Sequence, residues 1–200
     1  MSDAGKTDLP QQENLLGLAN RTGLPDALRV LAAGYPREGW ETHGNFDELT
    51  RFWLDRHLMF RRLQAELTAD ARAVLDSNAD PQRFGQRTSR LAGMLISQLH
   101  GHHQIEDNHY FPLLSARDMR LVRGFDLLDA DHHALDGALD ALTSSANAAL
   151  QAISAGTAHI GPVAAYLAEV DGLGGLLDRH LTDEEELIVP ILLEYGPVQL

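Results

Sequence analysis

Two stretches of this chain, His102-His103-Gln104-Ile105-Glu106 and His180-Leu181-Thr182-Asp183-Glu184, place a glutamate four residues after a histidine. Each is followed at the same interval by a proline, Pro112 in one and Pro190 in the other. Residues four apart on a helix share a face, with Cβ atoms about 5–6 Å from each other, so each stretch can grip a cation through one imidazole and one carboxylate. Two such clamps serve one site only if the helices that carry them lie side by side with both faces turned inward. That requirement restricts the fold before any other feature is read.

The remaining pattern is compatible with it. Asn45 followed by Glu48 resembles a capping box, and from Phe46 the apolar residues Leu49, Trp53, Phe60, Leu63 and Leu67 recur at helical spacing to about Leu75. The polar segment 76–80 ends in an N-cap aspartate, Asp80, and hands Pro81 to the first position of a second helix that runs to about Leu114. A third pattern (Val122, Phe125, Leu128, Leu135, Leu139, Leu142) stops near Ala155-Gly156. A fourth extends from Gly161-Pro162 to about Glu194, with Gly172, Gly174 and Gly175 predicting an irregularity inside it. Nothing reads as a strand. Residues 1–44 read as an extension with short helical candidates at 13–20 and 24–33, broken by Gly34-Tyr35-Pro36 and Gly39, and with no evident chemistry. The expected fold is all-α: an up-down-up-down four-helix bundle over residues 45–196 behind a short N-terminal extension.

In such a bundle the first and third helices supply the other side chains of the layer. His57 has Trp53 four residues before it and Phe60 three after, on the apolar stripe. His132 is in phase with Leu128, Leu135 and Leu139, whereas its neighbour His133 is in phase with Asp129, Asp136 and Asp140, so His132 is the inward residue of the two. Measured from loop centres near Ala79, Ala116 and Thr157, His57, His102, His132 and His180 fall at nearly the same height. At about 1.5 Å of rise per residue they lie within a few ångströms of one plane. Burying these four histidines with Glu106 and Glu184 and no cation would cost roughly 1–3 kcal/mol for each unpaired group. His109, seven residues after His102, is expected to face the same layer as a supporting residue, and His100, His103 and His133 are expected to be solvated. His43 and His159 sit in loops, and in the run Asp183-Glu184-Glu185-Glu186 only Glu184 has an inward phase.

Composition removes several classes. The chain has no cysteine, which excludes thiol catalysis, zinc ribbons and cysteine-held clusters, so a metal must use nitrogen and oxygen. A formal charge of -13 opposes binding to phosphate backbones and anionic lipid, so neither nucleic acid nor membrane is an expected partner. No apolar run approaches the roughly 20 residues of a bilayer crossing, and the polar start lacks a secretory pattern, which makes a cytoplasmic location the expectation. His-Glu-x-x-His, Gly-x-Ser-x-Gly and phosphate-cradling glycine loops are missing.

The paired His-x-x-x-Glu segments with their downstream prolines, joined to level histidines on the first and third helices, resemble the hemerythrin-like (HHE cation-binding) family over roughly residues 46–195. The resemblance implies that His57, His102, His132 and His180 ligate iron and that Glu106 and Glu184 bridge two irons in a dinuclear, non-haem site. It further implies a small-molecule ligand such as oxygen, nitric oxide or hydrogen peroxide, or a role in handling iron. Imidazole nitrogen and glutamate oxygen suit iron and manganese, whereas calcium would want oxygen alone. Two positions depart from the oxygen carriers of that family: Asp136 stands where they have a second histidine on the third helix, and Glu185 where they have an aspartate. Three alternatives stay open: a di-iron enzyme turning over peroxide or oxygen, a bundle held together by structural zinc, and a ferritin-like site. The last needs two Glu-x-x-His pairs, of which Glu106 and His109 form one and the fourth helix offers none.

Overall fold

The computed structural model describes residues 16–197, and no strand occurs among them. Four long helices account for most of the chain: α1 Glu48–Leu75, α2 Pro81–Ile105, α3 Val122–Ser154 and α4 Ile160–Tyr195. α1 starts at Asp47, whose carboxylate accepts from the Thr50 N–H at 2.8 Å, and α2 starts at Asp80, which accepts from the Arg83 N–H at 2.8 Å with Pro81 at the first position. Each cap satisfies one of the donors that a helix N-terminus leaves unpaired. After Ile105 the chain makes one wide π-turn, Glu106–Tyr110, before a last helical segment, Phe111–Ser115. α1 packs on α2, α2 on α3, α3 on α4 and α4 back on α1.

Two apolar clusters fill the space between the helices. One holds Phe60, Leu67, Leu95, Leu99, Leu135, Leu142 and Tyr166; the other holds Phe111, Leu121, Phe125, Leu128, Leu187 and Ile191. Along α3 the order is Leu128, then Asp131 and His132, then Leu135, and along α1 it is Trp53, His57, Phe60, so a polar layer is sandwiched between the clusters. Apolar packing closes the layer above and below along the bundle.

The structure departs from several sequence expectations, and Asp47 rather than Asn45 caps α1. α4 runs unbroken through Gly172, Gly174 and Gly175. A Cβ on Gly174 would collide with the side-chain amide of Gln64, whose Nε2 donates to the Val170 carbonyl at 3.1 Å, so that glycine lets α1 and α4 approach closely and makes no kink. The candidate helix at 24–33 is reduced to a 3-10 turn, Asp26–Leu28, because an isolated helix of that length has little stability and its leucines are pulled onto the second cluster. The candidate at 13–20 lies partly outside the described residues. Finally, α4 is long and apolar enough by length and composition to cross a membrane, with a mean hydropathy of 1.2 over its most apolar window. Here its inner face, from Val163 to Leu193, is buried among the other helices, and it carries four ionisable residues in the polar layer.

Candidate metal centre

The polar layer brings together the six residues expected as metal ligands, His57, His102, Glu106, His132, His180 and Glu184. His57, His102, Glu106 and Glu184 each offer an atom within 4.8 Å of the others, and a second group, His103, His132 and His180, does the same beside it. The carboxylates join the two groups. Glu106 Oε1 lies 3.0 Å from His102 Nε2 while its Oε2 lies 3.7 Å from His132 Nε2, and Glu184 Oε2 lies 3.5 Å from His57 Nε2 and 3.4 Å from His180 Nε2.

The histidines are aimed by their outer nitrogens. His57 Nδ1–H donates to Glu185 Oε1 at 3.0 Å, His132 Nδ1–H to Asp107 Oδ1 at 2.7 Å and His180 Nδ1–H to Asp131 Oδ2 at 3.3 Å. A proton held at Nδ1 leaves the Nε2 lone pair free, and all three Nε2 atoms face the centre. The indole N–H of Trp53 donates to Glu106 Oε1 at 2.7 Å and fixes that carboxylate. Arginines hold the outer carboxylates in turn: Arg21 binds both Asp131 and Asp183, Arg61 donates to Glu185 at 2.8 Å, and Arg37 pairs with Glu185 as well.

His103 corrects the expectation of a solvated residue. Its side chain is buried and stacks on the His132 ring, with centroids 3.9 Å apart and planes 9° from parallel. The signal was present in the chain, since Leu91, Leu95, Leu99 and His103 repeat every four residues. His109 is exposed instead of facing the layer, because the π-turn inserts an extra residue and rotates everything after Glu106 by about 100°. The supporting role falls to Asp107. The acidic run on α4 is not a solvated face either: Asp183 and Glu185 are as buried as Glu184, each turned outward onto arginine. The extension, expected to carry no chemistry, supplies Arg21 and Arg37. Asp136 is exposed and lies 3.6 Å from exposed His100, and His133 is exposed with its Nδ1–H on the Asp129 carbonyl.

Burial governs the protonation of the layer. It pushes His57 and His180 below the usual imidazole value, although Glu185 and Asp131 pull the other way. It takes His132 to about 4 and, with the positive charge of the neighbouring imidazoles, His102 to about 2. All four are neutral at pH 7. Burial also pushes Glu106 and Glu184 above the ordinary carboxylate range, and for Glu184 the nearby Glu106 charge adds to the rise. For Glu185 burial acts upward too, but hydrogen bonds from His57 and Arg61 outweigh it and hold the carboxyl at about 2.

The donor set fits a cation. Glu106 Oε2, His132 Nε2, His180 Nε2, both Glu184 oxygens and both His103 ring nitrogens are buried without a hydrogen-bond partner. Buried polar atoms are seldom left so, and here seven of them, from α2, the π-turn that follows it, α3 and α4, lie in one layer. A cation would satisfy lone pairs that no protein donor reaches, and its charge would lower the proton affinity of the two glutamates.

Compared with known protein families, residues 48–192 match the hemerythrin HHE cation binding domain, and the chain belongs to that family. Arg21 and Arg37 lie outside the matched segment. Neither a search of curated proteins nor a search of solved structures returns a match.

Proposed function

We propose that this hemerythrin-family chain folds residues 45–196 as an up-down-up-down four-helix bundle around a dinuclear, non-haem iron site. The site binds or senses a small ligand such as oxygen, nitric oxide or hydrogen peroxide. His57 and His102 would hold one iron, His103, His132 and His180 the other, and Glu106 and Glu184 would bridge them. The carrying observation is the position of Glu106, whose two oxygens face two different groups of imidazoles. Five nitrogens and two carboxylates favour iron over calcium, which takes oxygen ligands.

Bound iron would supply a reducing equivalent and a coordination position for the incoming molecule. The chain's own residues prepare that position. The group with two imidazoles is the less saturated of the two, and it is the one beside an open cavity lined by Trp53, His102 and Glu106. Trp53 holds the bridging carboxylate, Glu185 and Asp131 hold the tautomers of His57 and His180, and the apolar clusters close the layer above and below. Asp136 is exposed and Glu185 is committed to His57, Arg61 and Arg37, so neither takes the place that the oxygen carriers give to a ligand. Sensing or handling of a ligand is therefore favoured over reversible oxygen transport. Loss of dinuclear iron in both Glu106→Ala and Glu184→Ala, with iron retained in His133→Ala, is the expected result. Iron retained at two per chain in the glutamate variants would overturn the bridging assignment. A di-iron enzyme would use the same donors, and turnover of hydrogen peroxide by the iron-loaded protein separates that reading from sensing.

A further inference from the structure

The cavity beside the His102 side of the layer is far larger than a diatomic molecule needs. Its volume is about 430 Å³, within the range of roughly 300–1,000 Å³ of small-molecule sites, whereas one water takes about 30 Å³ in the liquid. Its walls are mainly apolar, from Leu49, Phe52, Ile105, Ile188 and Leu192, and its floor is Trp53, His102 and Glu106. Phe52 and Ile105 are 61% and 52% exposed, so the apolar wall continues out to the rim. A passage for oxygen alone would not need such walls.

One cation breaks this lining. Arg56 is half-buried in the wall, and its Nη2 donates to the neutral amide oxygen of Gln98 at 2.5 Å while the guanidinium sits 5.5 Å from the Phe60 ring. Among the described residues no carboxylate lies within 4.0 Å of it, whereas half-buried Arg61 and Arg87 on the same two helices each have one, and Arg62, Arg83 and Arg90, which also lack one, are exposed to water. Asp47, the other acidic residue of the wall besides Glu106, is committed to capping Thr50. In a chain of net charge -13, a half-buried arginine in this wall without a carboxylate partner leaves a positive charge uncompensated. Its planar fork matches a carboxylate.

We propose that this cavity binds a small organic monocarboxylate, with its aliphatic or aromatic body against the apolar wall and its carboxylate on Arg56, adjacent to His102. The proposal deepens the small-ligand reading and rests on it only for the claim that the bound anion lies next to iron. Binding itself needs no metal.

Calorimetric titration of the full chain, metal-free and iron-loaded, with octanoate, 1-octanol and acetate tests it. Octanoate should bind at least about tenfold more tightly than either comparator, one lacking the charge and the other the body. Arg56→Gln should weaken octanoate about tenfold, the 1.4 kcal/mol expected at least of a charge-assisted hydrogen bond, and leave octanol unchanged. A Cβ on Gly101, another wall residue, meets nothing within 4 Å, so Gly101→Leu brings its side chain from the wall into the cavity space and should weaken binding of both. In the iron-loaded protein, octanoate should also perturb the optical spectrum. Absence of octanoate binding in a protein that holds its iron would overturn the proposal and leave the metal reading standing. Equal affinity for octanoate and octanol, or no effect of Arg56→Gln, would overturn the anion assignment. Octanoate binding to a chain that takes up no iron would overturn the metal reading alone.

Discussion

Arg21→Met removes one cation from between two buried carboxylates. The arginine side chain is 3% exposed, and those of Asp131 and Asp183 are 2% and 0% exposed. Breaking a buried pair by deleting one partner costs about 3–5 kcal/mol, because the remaining charge keeps its desolvation penalty and loses its compensation. Asp183 retains Arg179, and Asp131 retains the His180 Nδ1–H, so the lower end, about 3 kcal/mol, is the expected loss at pH 7. For a chain of this size that is a fall of roughly 6–12 °C in Tm, read by calorimetry on metal-free protein. The pH dependence gives a second check. Burial alone would raise the Asp131 carboxyl, but the hydrogen bonds from Arg21 and His180 and their charge hold it below its ordinary value. A carboxylate depressed in the folded state contributes stability above its unfolded pKa of about 3.9 and loses it as pH falls through the folded value. The gap between wild type and Arg21→Met should therefore narrow below about pH 4. A loss under about 1 kcal/mol that does not change with pH would mean that Arg21 is not inserted between α3 and α4.

His103→Ala should lower iron content toward one per chain while His133→Ala leaves it unchanged, measured by metal analysis; equal effects would mean that His103 is only packing. Asp107→Asn keeps the shape but loses the acceptor charge on His132 Nδ1, and should weaken metal affinity roughly 10–100-fold in a chelator competition. In metal-free protein the lowered histidines contribute a loss of stability as pH drops below the unfolded imidazole value of about 6.5, since among these imidazoles only the unfolded ones take up protons there, while the raised Glu106 and Glu184 act in the opposite direction. Metal loss on acidification should accordingly occur below that value, as followed by absorbance. Because Glu106 and Glu184 are raised in the metal-free site, iron(II) binding near pH 6 should release protons into a weak buffer, and Glu184→Gln should release fewer.

The helices were legible because their signals are local. Asp80-Pro81 and the four-residue spacing of leucines act within a turn or two. His132 was separable from His133 because Leu128 and Leu135 flank one phase and Asp129 and Asp136 the other. The inner layer was hidden where two adjacent residues on one helix both point inward, as His102 and His103 do, since a single apolar stripe is read as one residue wide. His109 was misplaced because the π-turn after Glu106 breaks the 3.6-residue period, and no turn residue announces it. The arginine shell was invisible for another reason. Arg21 and Asp183 are far apart in the chain and meet only after α3 and α4 have packed, so their pairing leaves no periodic trace.

Anomalous diffraction at the iron edge from crystals of the iron-loaded protein tests the central claim most directly. The account predicts two iron peaks, one among His103, His132 and His180 and one beside His57 and His102, with Glu106 and Glu184 between them. A single peak, or two peaks away from this layer, would contradict it.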